Sequence, residues 1–139
     1  MRPDSIPIVP VPVPDPLAGL SGNAPVVLRE TAQKLRRLVD AGEASTIDLL
    51  AMPLTAADLD WLRASLGNGE TRIRLDAGGE SRLDETGCPG VWWVTHHNEQ
   101  GGVASAFIEV ALVPELVKAP IGDVAAGLER LDLLISDVG

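Results

Sequence analysis

The sequence is short of the residue types that mark several classes of protein. Its single cysteine, Cys88, excludes an intrachain disulfide and any CxxC metal or redox motif. It contains no run of 18 apolar residues, so it predicts no transmembrane helix. Basic residues number 11 and acidic residues 20, which gives a net charge of −9. This charge argues against a nucleic-acid partner and against an anionic membrane surface.

Aromatic residues are also scarce, at 3% of the chain with no tyrosine. Apolar residues make up 45% of the 139 residues, so aliphatic side chains must fill the core of one domain. The N-terminal residues contain no apolar stretch typical of a secretory signal. We therefore expect a cytoplasmic protein.

Residues 1–22 are predicted to form a proline-rich extended arm. Six of the eleven prolines lie within residues 1–16. Proline fixes φ and lacks an N–H, which excludes a helix or a central strand there. The arm is either a disordered leader or packs its apolar residues on the domain or on a second subunit. Those residues are Ile8, Val9, Val11 and Val13.

Residues 23–139 are predicted to form a single domain with three helices. Asn23 and Pro25 begin the first helix, and Gly42 ends it. Thr55 is the expected N-cap of the second helix. The apolar stripe of the first helix is Leu28, Ala32, Leu35 and Val39. The stripe of the last helix is Ile121, Val124, Leu128, Leu131 and Ile135.

Five strands are predicted from short β-prone or alternating segments and the turns between them. They are Thr46 to Leu50, Glu70 to Asp76, Glu80 to Thr86, Val91 to His97 and Val103 to Leu112. The third of these is polar except at Leu83, which favours a position at the sheet edge. The four consecutive strands predict an α+β, two-layer domain. In it a mostly antiparallel sheet of about five strands carries helices on one face.

Sequence motifs give no reason to expect an enzyme, a cofactor or a bound metal. No P-loop, GxSxG or HExxH motif occurs. Adjacent residues on a strand point to opposite faces, so His96 and His97 should not share one metal. Two alternatives stay open. One is a metal-binding or metal-delivery module using His96, His97 and Cys88, with Glu109 as a further ligand. The other is a thiol enzyme using Cys88.

Three blocks of sequence carry a resemblance to a known family. Residues 89–98 read PGVWWVTHHN, residues 107–110 read FIEV, and residues 113–116 read VPEL. In this order they resemble the C-terminal conserved region of the hydrogenase expression/formation proteins of the HupH/HyaF type. The resemblance extends over roughly residues 24–122.

The resemblance implies a role in maturing an uptake nickel–iron hydrogenase. It implies a chaperone-like accessory protein without catalytic turnover, acting by protein–protein contact. The implied partner is the iron–sulfur small-subunit precursor or another maturation protein. Members of the family are expected to be about twice this length with two related domains, of which this chain supplies one.

The predicted partner-binding residues lie on the fourth and fifth strands and the turn between them. They are Trp92, Trp93, His96, His97, Asn98 and Glu109. Strand alternation places one tryptophan under the helices and the other on the open face, where an exposed indole would anchor a partner. An open apolar sheet face also predicts a homodimer.

Overall fold

The computed structural model describes residues 18–76 and 78–139. Most of the predicted arm, residues 1–17, lies outside the described residues. Three α-helices are present among those described: α1 (Ala24–Ala41), α2 (Ala56–Leu66) and α3 (Ile121–Val138). The strands are β1 (Ser45–Asp48), β2 (Arg72–Asp76), β3 (Glu80–Glu85), β4 (Val91–His97) and β5 (Val103–Val110). A 3-10 turn at Glu115–Val117 precedes α3.

The two helices that pack on the sheet begin and end at the predicted signals. The N-cap Thr55 forms a capping box with Asp58 at the start of α2. Gly42 ends α1 with a φ of 68°, the left-handed conformation that glycine adopts without strain. Asn23 precedes α1 but does not cap it with its side chain. Its amide instead donates a 2.9 Å hydrogen bond to the carbonyl oxygen of Pro53.

The strands form one antiparallel sheet in the order β1-β5-β4-β3-β2. The α+β prediction is confirmed, but the predicted edge position of β3 is wrong, because β2 and β1 are the edges. β3 tolerates an interior position because its acidic side chains find basic partners. Asp84 pairs with Arg74 of β2 at 2.8 Å and with Arg63 of α2 at 3.2 Å.

The main core lies between the sheet and the helices α1 and α2. Its buried sheet residues include Ile47, Val91, Ala106, Ile108 and Val110. The second face of the sheet, opposite α1 and α2, has its own apolar group of Leu83, Trp92 and Val94. Ile73, Leu75 and Phe107 pack around that group.

The buried face of α1 differs from the predicted stripe. The helix buries Ala24, Val27, Thr31 and Leu38. Leu28 and Leu35 are half-buried, whereas Val39 is 78% exposed. Two adjacent apolar rows run along this helix, and only the contact with the sheet selects between them.

The third helix forms at the predicted position, but no residue in it is buried. The sheet is therefore covered by α1 and α2, and α3 adds nothing to the core. No helix among residues 18–76 and 78–139 is long and apolar enough to cross a bilayer.

Candidate partner-binding site

The two neighbouring tryptophans of β4 lie on opposite faces of the sheet. Trp93 packs with the main core, and the guanidinium of Arg63 lies 5.7 Å from its ring centroid. Trp92 lies on the second face and is only 5% exposed. Its indole N–H donates a 3.1 Å hydrogen bond to the carbonyl oxygen of Ala111. The predicted division of the pair is observed, but the expected exposed indole is not, because Trp92 is buried with Leu83 and Val94 in the apolar group of the second face.

A groove runs along the second face beside β5 and the segment that follows it. It has a volume of about 600 Å³. Its lining residues are Thr46, His96, Phe107, Glu109, Glu115, Leu116, Lys118, Ala119 and Pro120. Two of the predicted partner-binding residues, His96 and Glu109, are thus brought together in one concave surface.

His96 is held in the groove by two neighbours. Its Nδ1 is hydrogen-bonded to the hydroxyl of Ser81 at 2.6 Å. Its ring lies against Phe107, with 5.7 Å between the ring centroids. Strand pairing explains both contacts, since His96 is opposite Ser81 on β3, and Phe107 lies on the adjacent β5. The imidazole is fixed in orientation while part of it stays accessible.

Glu109 fixes the outer wall of the groove. Its carboxylate is buried and accepts a 2.9 Å hydrogen bond from the backbone N–H of Glu115. A charge-assisted bond of this kind holds the 3-10 turn against the sheet. Glu115 in turn pairs with Lys118 at 3.0 Å. The buried carboxylate of Glu109 therefore positions the turn that carries the exposed, charged side chains of Glu115 and Lys118.

The other predicted residues of the hairpin serve the turn between β4 and β5. His97 contacts Thr95 at 3.2 Å and the carbonyl oxygen of Gly101 at 3.4 Å. The side-chain oxygen of Asn98 accepts hydrogen bonds from the N–H groups of Gln100 and Gly102. Neither residue lines the groove. His97 and His96 lie on opposite sides of β4, as strand alternation predicts.

The structure does not bring the full set of proposed metal ligands together, since only His96 and Glu109 share a surface. Cys88 is exposed in the turn before β4, whereas His96 and His97 are at the other end of that strand. The extended strand from Val91 to His96 alone spans roughly 17 Å, and Cys88 lies in the turn before it. Within the described residues, no group of three or more His, Cys, Asp and Glu could hold a metal ion. The geometry therefore gives no support to the metal-delivery alternative.

A charged cluster lies on β3. Glu80 accepts a 3.0 Å hydrogen bond from Arg82, which lowers the pKa of Glu80. The same bond raises the pKa of Arg82. These groups are exposed and pair with one another, so they act as a solvated surface.

Sequence reasoning missed the residues that follow β5. Leu116, Lys118 and Pro120 complete the groove. They lie about 20 residues after the histidine pair in sequence, and no local pattern indicated that they would lie beside His96 in space. The VPEL block contained a usable signal. Pro114 is fully buried and begins the turn that returns the chain to the second face.

The fold and the groove together define a class: a small α+β domain that presents a concave, mixed apolar and charged surface on an antiparallel sheet. The chain belongs to the family of HupH hydrogenase expression proteins. The model of the C-terminal conserved region of that family matches residues 22–138. The predicted family is confirmed.

Relatives and a solved structure agree with this assignment. "Hydrogenase expression/formation protein HupH" of Rhodobacter capsulatus is 32% identical over 116 residues, covering 84% of this chain and 42% of that protein. "Hydrogenase-1 operon protein HyaF" of Escherichia coli K12 is 29% identical over 119 residues, covering 86% and 41%. The chain thus spans about two fifths of the length of these curated relatives.

The solved "Hydrogenase expression protein HupH from Thiobacillus denitrificans ATCC 25259" is 57% identical, with a TM-score of 0.82. The match covers 86% of this chain and 99% of that one. The fold described above is therefore also that of an experimentally determined family member of similar extent.

Proposed function

We propose that this chain is an accessory protein of hydrogenase maturation that acts in the cytoplasm by protein–protein contact, without catalytic turnover. The observation that carries the proposal is the family match over residues 22–138. The likeness to a HupH structure at 57% identity over 86% of the chain supports it for the domain described here. The proposed partner is the iron–sulfur small-subunit precursor of the hydrogenase, or another maturation protein.

The groove on the second face is the proposed contact surface. Phe107 and Leu116 give it apolar walls, and Lys118 with Glu115 supplies charges at its rim. Apolar residues at the centre with polar residues at the rim are the usual arrangement of a protein-binding surface. His96 lies among these walls in a fixed orientation, so a partner meets a surface that needs little ordering on binding.

The adjacent histidines offer a matched test. His96→Ala removes a groove side chain, whereas His97→Ala removes a side chain at the β4–β5 turn. In cells that make a nickel–iron hydrogenase, a tagged wild-type chain should capture the small-subunit precursor. His96→Ala should weaken capture by about tenfold or more, the loss expected if His96 is one of the few interface residues that carry most of the binding energy. His97→Ala should capture as the wild type does.

Two results would count against the proposal. If the wild-type chain captures no hydrogenase subunit and no maturation protein, the proposed function is wrong. If both histidine variants capture the precursor equally well, the groove is not the contact surface, but the proposed function is not contradicted. Far-ultraviolet circular dichroism of each variant shows whether the fold is intact.

A further inference from the structure

Helix α3 presents an apolar surface that no other element among residues 18–76 and 78–139 covers. Every residue of α3 is exposed. Twelve of the sixteen exposed large apolar side chains among the described residues lie between Leu112 and Val138. A soluble monomer rarely leaves a contiguous apolar patch of this kind uncovered. The helix therefore offers an apolar surface that the groove does not include.

The apolar side chains of α3 form a regular seam. They are Ile121, Val124, Leu128, Leu131, Ile135 and Val138, and they are exposed by 50–87%. Their spacing of three, four, three, four and three is the a/d pattern by which helices pair. We call these six residues the α3 seam.

The seam is symmetric about the middle of the helix. Reversing the direction of α3 places Ile121 at the level of Val138, Val124 at the level of Ile135, and Leu128 at the level of Leu131. An antiparallel copy of the same helix therefore puts an apolar residue opposite each seam residue, with the helix ends flush. We propose that α3 pairs with α3 of a second copy of this chain, antiparallel, across a two-fold axis.

The charges of α3 are compatible with this pairing. Asp123, Glu129, Arg130 and Asp137 lie away from the seam on a 3.6-residue helix. Asp132, which borders the seam, lies at the level of Gly127 of the second copy. The antiparallel arrangement also sets each helix N-terminus beside a C-terminus, which the helix dipoles favour.

The available area is sufficient for a stable dimer. At on the order of 100 Å² of apolar surface for a fully exposed aliphatic side chain, the six seam residues, which are exposed by 50–87%, supply about 400 Å² per copy. The antiparallel arrangement returns the C-terminal turn of one helix toward the start of the other, near exposed apolar residues of the preceding segment. Those residues are Leu112, Val113, Leu116 and Val117. Together the two groups supply about 600 Å² per copy, which reaches the lower end of the roughly 1,200–2,000 Å² in total that specific interfaces bury.

The oligomeric state of the full chain tests the seam. Light scattering after gel filtration should give a dimer for the wild type. The double variant Leu128→Asp/Leu131→Asp should be a monomer, with a dissociation constant raised at least 100-fold. Leu133→Asp is the matched control, since Leu133 is also exposed on α3 but lies outside the seam. That control should remain a dimer. A monomeric wild type, or a double variant that stays dimeric, would overturn the proposal.

Thiol crosslinking tests the register. In a Cys88→Ser chain, Val124→Cys/Ile135→Cys should give a covalent dimer with a short bis-maleimide. Val124→Cys alone should not, because antiparallel pairing separates the two copies of that position by about 16 Å along the axis. Efficient crosslinking of Val124→Cys alone would indicate parallel helices and contradict the proposed geometry. Neither measurement depends on a hydrogenase partner, so the pairing and the proposed function stand or fall separately.

Discussion

Asp58 is a buried carboxylate that joins the start of the described chain to α2. It accepts hydrogen bonds from the N–H of Ser21 at 3.0 Å and from the N–H of Thr55 at 2.8 Å. The hydroxyl of Ser21 also donates to it. The bond from that hydroxyl, then the bond from the Thr55 backbone, lower the pKa of Asp58 from 3.8 to about 2. A carboxylate that accepts several hydrogen bonds favours its charged form.

The first prediction is that Asp58 makes the domain sensitive to acid. Its folded-state pKa is depressed, so its contribution to stability is complete above pH 5 and is lost as the pH falls from about 4 toward 2. Asp58→Asn should lower the free energy of unfolding at pH 7 and reduce its fall over that acid range. Urea unfolding at pH 7 and pH 3, followed by tryptophan fluorescence, measures both effects. Asp60→Asn, at an exposed position of the same helix, is the control and should behave as the wild type. A wild-type pH dependence in Asp58→Asn would contradict the assignment.

The second prediction concerns Trp92. Trp92→Ala removes a ring that is 5% exposed and should cost about 3–5 kcal/mol. Trp92→Phe keeps most of the ring but leaves the Ala111 carbonyl without its indole donor, at a cost of about 1–3 kcal/mol. Trp93→Phe is the control, because no indole hydrogen bond holds Trp93 among the described contacts. Chemical denaturation gives the three values. If Trp92→Phe is no less stable than Trp93→Phe, the hydrogen bond contributes nothing.

At the scale of elements, the two hairpins of the sheet meet at their ends. Gly79 precedes β3 with a φ of 129°, which L side chains rarely adopt. A Cβ added there would lie 2.1 Å from the carbonyl oxygen of His97 at the end of β4. Close approach of two backbones, and not the turn alone, requires glycine at this position.

The third prediction follows from that contact. Gly79→Ala should destabilise the domain by more than Gly78→Ala, because only the former meets backbone atoms. For Gly78→Ala we expect about 1–2 kcal/mol, the cost of a left-handed conformation alone. Thermal unfolding of the two variants compares them directly. Equal melting temperatures would show that the hairpin ends separate without cost.

Helix α1 shows how packing selects among surfaces that a sequence offers. The periodicity of Leu28, Ala32, Leu35 and Val39 is as regular as a buried stripe requires. The structure buries the neighbouring row through Val27 and Leu38. The rotation of the helix about its axis is set by the shape of the sheet, which lies far away in sequence.

At the scale of the whole molecule, the core and the last helix are separable. The fourth prediction is that a chain ending at Pro120 keeps the unfolding free energy of the monomeric full chain to within about 0.5 kcal/mol, since α3 buries no residue. For the full chain, stability should rise with protein concentration, as for any dimer, whereas the shortened chain should show no such rise. Urea unfolding at two concentrations of each chain measures this. A large loss of stability in the shortened chain at low concentration would show that α3 belongs to the core.

The sequence by itself determined the order and type of the elements, because these follow from local spacing, caps and turns. It also determined the family, since the PGVWWVTHHN block and the blocks after it are contiguous pieces of chain. The opposite facing of Trp92 and Trp93 followed from strand alternation alone.

Only the tertiary structure decided which surfaces are free. Trp92 is buried because it packs with Leu83 of β3 and Phe107 of β5, and its indole N–H is bonded to Ala111, 19 residues further along the chain. The groove forms because the carboxylate of Glu109 accepts a hydrogen bond from the backbone N–H of Glu115 and so holds the chain after β5 against the sheet. The polar β3 is interior because Asp84 meets Arg63 and Arg74. The seam of α3 is exposed although its period is that of a core helix. A period specifies that a helix has an apolar side, and the energy of burial is gained only where the rest of the fold, or a second chain, lies against it.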